Sequence, residues 1–160
     1  MAEPLRLLVV CLGNICRSPM AEGALRARLR EAGLERGAIV DSAGTGDWHV
    51  GDPPDRRAIA TARRHGVDIS GLRARQLGAA DFDDFDWLLC ADHANLRDVQ
   101  ALAPRGSRAG ISLFMEWAGL QGPIPDPYTG GEDHFEQVWS LVDAAAQAAV
   151  QRLHRGGRAD

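Results

Sequence analysis

The 160-residue sequence contains no lysine, so all 18 of its basic residues are arginine. A Schiff-base enzyme, a Walker-type P-loop NTPase and a protein kinase each depend on a particular lysine, and all three are excluded. Cysteine is also scarce. Three residues are an odd count and too few for a disulfide scaffold in a chain this long, so a reducing, cytoplasmic location is expected. Cys11, Cys16 and Cys90 have no fourth thiol and no nearby histidine, so no metal site is expected. Long apolar runs are missing as well. The longest, Leu7 to Leu12, is too short to span a bilayer and lacks the small-residue cleavage site of a signal peptide, so no membrane insertion is expected. A basic face is lacking too: residues 1–80 carry 12 arginines against nine acids, and residues 81–160 carry six against 13. Nucleic acid is therefore not the expected partner.

The length argues for a single domain over residues 1–160, with a core at about 5–153 and a short flexible C-terminal tail. Leu5 to Val10 is a continuous apolar, partly β-branched run, as expected of a strand buried on both faces. A helix is expected to follow, with Ser18 as N-cap, Pro19 at its first position, Glu22 in its first turn and Gly33 past its end. Ala38 to Val40 reads as a second strand, followed by a Gly/Asp/Pro-rich loop over 44–55. Asp55 to His65 reads as a helix, Trp87 to Cys90 as a third strand, and Asp92 as the cap of a helix reaching about Leu102. A fourth strand at Ile111 to Phe114, a loop over 119–131 and an amphipathic helix from Phe135 to Leu153 complete the chain. The alternation predicts an α/β fold: a small four-stranded parallel sheet with helices on both faces, Rossmann-like, binding its ligand beyond the carboxyl ends of the strands.

The chemistry concentrates in the loop after the first strand, Cys11, Leu12, Gly13, Asn14, Ile15, Cys16, Arg17 and Ser18. Gly13 and Asn14 tolerate the left-handed conformations that a tight cradle needs. A curled backbone turns its N–H groups inward as an anion nest, and the start of the next helix adds partial positive charge. Arg17 can grip two phosphate oxygens side by side. The same field favours the thiolate of Cys11, which then lies beneath a bound phosphate, placed for in-line attack.

The segment Cys11 to Glu22 (CLGNICRSPMAE) resembles the signature of the low-molecular-weight protein tyrosine phosphatases. Further segments match the family's patterns in the family's order: Asp41 to Thr45, Trp48 to Gly51, His65 and Gly66, Ala74 to Gln76, Asn95 to Arg97, and Asp126 to Tyr128. The resemblance spans about Leu5 to Leu153. It implies a phosphatase that hydrolyses phosphotyrosine through a cysteinyl-phosphate intermediate, without cofactor or metal.

Such a reaction needs an acid to protonate the leaving oxygen. Spacing alone cannot choose it among 22 acidic residues. Asp126 is the best candidate because Pro125 and Pro127 stiffen its backbone, and the resemblance assigns it the same role. The resemblance also implies a supporting network of Asn14, Ser18, Ser42 and His65. Leu12, Ile15, Trp48 and Tyr128 would wall the mouth, where aromatic rings suit a phenyl group by stacking. Relatives that hydrolyse phosphoarginine carry threonine at the Ile15 position, so Ile15 argues for an aryl phosphate. Many relatives have a second tyrosine where this chain has Thr129, which puts fine specificity in doubt.

Cys16 is a candidate redox partner, able to trap a Cys11 sulfenic acid as a disulfide. Three alternative functions stand beside the main reading. An arsenate reductase would need a relay of further cysteines, and only Cys90 remains. A phosphoarginine phosphatase is the second, against which Ile15 argues; the third, an inactive phosphotyrosine-binding module, would be expected to lack Cys11, Arg17 or Asp126, and all three are present. The implied partners are tyrosine-phosphorylated proteins, a bacterial tyrosine kinase among them. The high Ala and Arg content points to a GC-rich bacterial source. A monomer or weak dimer in the cytoplasm is expected, with non-classical export as a further route.

Overall fold

The computed structural model describes residues 3–155. The expected tail beyond Leu153 lies largely outside the described residues. Ten elements follow in order: β1 (Leu5–Cys11), α1 (Arg17–Glu31), β2 (Ala38–Gly44), α2 (Arg56–Arg64), α3 (Asp81–Asp84), β3 (Trp87–Cys90), α4 (His93–Leu102), β4 (Gly110–Leu113), α5 (Phe114–Trp117) and α6 (Glu132–His154). The four strands form one parallel sheet in the order β2-β1-β3-β4.

Side chains of alternate strand residues feed two cores, because successive Cβ atoms point to opposite faces. Leu7, Val9 and Cys11 pack with Met20, Leu25, Ala58, Phe114, Phe135 and Val142, the apolar faces of α1, α2, α5 and α6. Leu8 and Val10 pack with Phe82, Val99, Leu88 and Cys90 on the other face, under α3 and α4. The chain leaves β1 in one direction for β2 and crosses to the other side for β3. The crevice between the carboxyl ends of β1 and β3 is therefore a topological switch point, where open α/β sheets place their ligands.

Several boundaries differ from the sequence expectation. Strand β2 runs on to Gly44 because its register pairs Ser42 with Val9 and Gly44 with Cys11. The polar residues at its end are held by the neighbouring strand rather than by their own propensity. Ser18 is not the N-cap of α1. Cys16 holds that position without a side-chain cap, and the helix begins at Arg17. Pro19 and Glu22 are displaced accordingly, and Glu22 lies in the second turn. The short helices α3 and α5 carry too few turns to show a 3.6-residue period. Helix α6 starts three residues early, with Glu132 and Asp133 in a first turn where acids suit the dipole. The cap at Asp92 is as expected, accepting from the Asn95 amide, whereas Asp55, expected as the first helical residue, is instead the N-cap of α2 and accepts from the Arg57 amide.

Among the described residues no helix is long and apolar enough to cross a membrane.

Candidate active site

The loop between β1 and α1 curls around an open cleft of about 180 Å³. Cys11, Leu12, Gly13, Ile15, Cys16, Arg17, Trp48, His49, Asp126 and Tyr128 line it. The curl needs one left-handed residue, and Asn14 supplies it with φ 58°. Gly13 does not adopt that conformation. A Cβ there would lie 3.1 Å from the His49 ring, so its glycine serves close packing instead. Gly44 is crowded in the same way: a Cβ would meet the Leu12 carbonyl at 2.8 Å. The end of β2 pins the loop from outside, with Thr45 N–H donating to the Cys11 carbonyl at 2.9 Å and Gly46 N–H to Leu12 at 2.9 Å.

A buried hydrogen-bond chain runs from the thiol into the protein. The Arg75 backbone N–H donates to Asn14 Oδ1 at 3.0 Å, which fixes the amide's orientation. Asn14 Nδ2 then donates to Ser18 Oγ at 2.8 Å and to Ser42 Oγ at 3.0 Å. The Ser42 hydroxyl donates to Glu22 Oε1 at 2.7 Å. Ser18 Oγ, already an acceptor from Asn14, keeps its own proton for Cys11 Sγ at 2.9 Å. The Arg75 amide, Asn14 and Ser18 thus pass donors one to the next toward the sulfur, while Ser42 turns its own proton away to Glu22.

His65 takes no part in this network, although the resemblance implies it. Its Nε2 contacts Glu136 Oε2 at 2.8 Å, and its ring stacks on Trp139 with centroids 5.4 Å apart. It lies at the C-cap of α2, where packing against α6 decides its orientation. The carboxylate of Glu22 holds the inner end of the chain instead. Glu22 is 1% exposed, and burial pushes its carboxyl above the usual range against the opposing Ser42 bond and Arg26 charge. Sequence reading missed it because its signal, an acid on the buried side of α1, looks like an ordinary first-turn glutamate.

Arg17 is 3% exposed. Its Nη1 donates to Asp92 Oδ2 at 2.6 Å and to the Ile124 carbonyl at 3.1 Å, while Nη2 lies 3.9 Å from Asp126 Oδ2. The guanidinium is thus braced from behind by Asp92, which the sequence marked only as a helix cap. Burial works against the Asp92 charge, but the Arg17 bond and the Asn95 amide outweigh it and hold the carboxyl below its usual range. A lowered folded value means stabilisation that is full above the unfolded value, about 3.9, and lost as pH falls through the folded one. The stability gap between the wild type and Asp92→Asn is therefore expected to be widest near neutral pH and to close in acid. Urea midpoints across pH measure it, and a gap independent of pH would show that the carboxylate charge is not its source.

Asp126 is half exposed on the cleft wall, with Oδ1 accepting from the Tyr128 N–H at 3.1 Å. Trp48, 68% exposed, and Tyr128 stand at the rim with Leu12. Trp48 folds over Gly46, where any Cβ would strike its ring. Ile15 is buried deeper in the cleft lining. Cys16 lines the same cleft, but burial, then the charges of Asp55, Cys11 and Asp126, push its thiol well above the ordinary thiol value. Cys90 pairs with Val10 in the sheet and points into the opposite core from Cys11, and burial raises its thiol to about 12. A sulfur relay from Cys11 to Cys90 would have to cross the sheet.

A thiol at the base of a curled loop that runs into a helix N-terminus, with an arginine and a carboxylate on the cleft walls, is the arrangement of a cysteine-based phosphoryl-transfer enzyme. The family model for low molecular weight phosphotyrosine protein phosphatases matches residues 6–159. A low molecular weight phosphotyrosine protein phosphatase of Schizosaccharomyces pombe is 45% identical over 147 residues, covering 89% of this chain and 94% of the relative. Among solved structures, Vibrio vulnificus Wzb in complex with benzylphosphonate superposes with a TM-score of 0.81 at 32% identity, over 92% of this chain and 98% of that one. The drosophila arginine phosphatase DARP superposes with a TM-score of 0.87 at 30% identity, over 93% and 98%. The chain belongs to the low molecular weight phosphotyrosine protein phosphatase family.

Proposed function

We propose that the protein hydrolyses phosphotyrosine in proteins, with Cys11 as nucleophile, Arg17 as phosphate clamp and Asp126 as general acid. The observation that carries these roles is that all three line one cleft, although 115 positions separate the first from the last. In the first step the Cys11 thiolate attacks phosphorus, a sulfur–phosphorus bond forms, and the ester bond breaks as Asp126 gives its proton to the phenolic oxygen. In the second, Asp126 takes a proton from water, the hydroxyl attacks the cysteinyl-phosphate, and inorganic phosphate and the thiolate are released. Arg17 and the loop amides from Leu12 to Ser18 hold the equatorial oxygens through both steps, where developing charge is greatest. Asn14, Ser18 and Ser42 support the sulfur from below.

Trp48 and Tyr128 at the rim, with apolar Leu12 and Ile15 between them, favour an aromatic group over a short alkyl one. The Vibrio relative's benzylphosphonate complex supports an aryl ligand for this kind of cleft. A guanidine phosphate would gain nothing from a buried isoleucine, so phosphoarginine is the weaker reading here. Cys16, a second thiol lining the cleft, is the candidate to trap an oxidised Cys11 as a disulfide. We place the protein, one phosphatase domain without nucleic-acid partners, in the cytoplasm, where phosphotyrosine proteins such as a tyrosine kinase would meet it.

Asp126→Asn tests the acid. It is expected to lower kcat/KM for phenyl phosphate, a poor leaving group, by roughly 10²-fold, within the usual worth of a positioned acid. Dinitrophenyl phosphate, whose phenolate needs no proton, is expected to change little. Equal slowing of both substrates would remove Asp126 from the role.

A further inference from the structure

The loop that carries Asp126 is fastened to the rest of the molecule by two arginines, only one of which belongs to the phosphate cradle. On its N-terminal side, Ile124 N–H donates to the Ala91 carbonyl at 2.8 Å, and the Ile124 carbonyl accepts from Arg17. On its C-terminal side the fastening is Arg57, in the first turn of α2. Arg57 Nη2 donates to the Tyr128 carbonyl at 3.0 Å and Nη1 to the Gly130 carbonyl at 3.1 Å. Its guanidinium lies 5.6 Å from the centroid of the Tyr128 ring and 4.6 Å from that of the buried Phe135.

Arg57 is itself held in place. Asp55 accepts from its Nε at 3.0 Å and its Nη2 at 3.0 Å, and the same bonds, despite partial burial, keep the Asp55 carboxyl below its usual range. The Asp55 backbone N–H donates to the Ile15 carbonyl at 2.8 Å, within the cradle. An unbroken line of bonds thus runs from the phosphate loop through Asp55 and Arg57 to the two carbonyls that follow Asp126. Within the loop, Asp126 has only the Tyr128 amide as a hydrogen-bond partner, so the backbone around it decides where its carboxyl stands. The planar fork of arginine can reach two carbonyls and keep its charge over aromatic rings at once, which a lysine ammonium cannot do.

We propose that Arg57 is a positioning residue for the reaction: it ties the acid-bearing loop to the phosphate cradle and sets the reach of Asp126 to the leaving oxygen. The proposal rests on the reading of Asp126 as general acid. A purely structural arginine would, on removal, slow all substrates alike. A positioning one slows those that need the proton.

The experiment measures kcat/KM for phenyl phosphate and dinitrophenyl phosphate in four proteins: wild type, Arg57→Met, Asp126→Asn and the double variant. Methionine keeps an unbranched chain over Phe135 and removes both carbonyl bonds. Arg57→Met is expected to lower phenyl phosphate turnover about 10-fold and dinitrophenyl phosphate less than about two-fold, a fraction of what a general acid is worth. Turnover of the dinitrophenyl ester also reports that the variant is folded with an intact cradle. In the Asp126→Asn background the same substitution is expected to add no selective loss, because the group it positions is gone. If Asp126→Asn itself shows no leaving-group dependence, the acid reading falls and this role with it. If Asp126→Asn shows that dependence and Arg57→Met leaves phenyl phosphate unchanged or slows both esters equally, the positioning role alone is overturned. A selective loss that persists in the double variant overturns it as well.

Discussion

Cys11→Ser is expected to abolish turnover, by roughly 10⁴-fold or more, while leaving the binding of inorganic phosphate largely intact. The two halves of this result have separate physical origins. Turnover needs a group that is ionised near neutral pH and a good nucleophile toward phosphorus. A serine hydroxyl in the same place holds its proton far too tightly, and the donor chain through Ser18 and Asn14 cannot make up that difference. Binding, in contrast, depends on the loop amides, the start of α1 and Arg17, none of which the substitution touches. Oxygen is also smaller than sulfur, so serine fits beneath the anion without displacing it. Phosphate release from p-nitrophenyl phosphate measures the first half and isothermal titration with inorganic phosphate the second. Residual activity near that of the wild type would remove Cys11 from the nucleophile's role. Loss of anion binding together with turnover would show that the thiol holds the loop's shape rather than the reaction.

Arg17→Lys is expected to be nearly as severe, lowering kcat/KM by about 10²–10³-fold although the charge is kept. Arg17 faces two ways. Nη1 is committed to Asp92 and the Ile124 carbonyl behind it, and the rest of the fork faces the cleft beside Asp126. An ammonium group on a shorter reach cannot satisfy Asp92 and clamp two phosphate oxygens together. It would also abandon the Ile124 carbonyl, a buried acceptor on the edge of the acid-bearing loop, at a cost of roughly 1–3 kcal/mol. Thermal unfolding and steady-state kinetics on one aryl phosphate check both consequences. A loss below about 10-fold would mean that the backbone amides and the helix terminus stabilise the equatorial oxygens without the fork.

The elements with strong local signals match the sequence reading closely. The apolar run of β1, the glycine-bearing loop, the aspartate cap of α4 and the apolar stripe of α6 each lie within a few consecutive residues. Short range is also why the anion cradle was legible: Cys11 to Ser18 contains its floor, its walls and the first residue types of its helix. Ser18 shows the limit. Its place before a proline suits a helix cap, but the curl of the loop turns its hydroxyl toward Cys11 and Asn14 and leaves the helix start uncapped. His65 shows the same limit in reverse, since a matched motif put it in the sulfur's support and packing against Trp139 took it away.

By itself, the sequence determined the class of fold and pointed to the residues proposed for the reaction, because both are written in contiguous patterns: strand, cradle and helix, and a proline-flanked aspartate. It also excluded every mechanism that requires a lysine. It could not rank the 18 arginines, which one uniform composition makes indistinguishable apart from Arg17. Tertiary structure decided that. Arg17 meets Asp92 across 75 positions, Arg57 meets the Tyr128 carbonyl across 71, and Arg75 meets Asp41 across 34. A planar, permanently charged fork takes its role from what stands opposite it, and those partners come together only when parallel strands bring their carboxyl ends to one edge of the sheet.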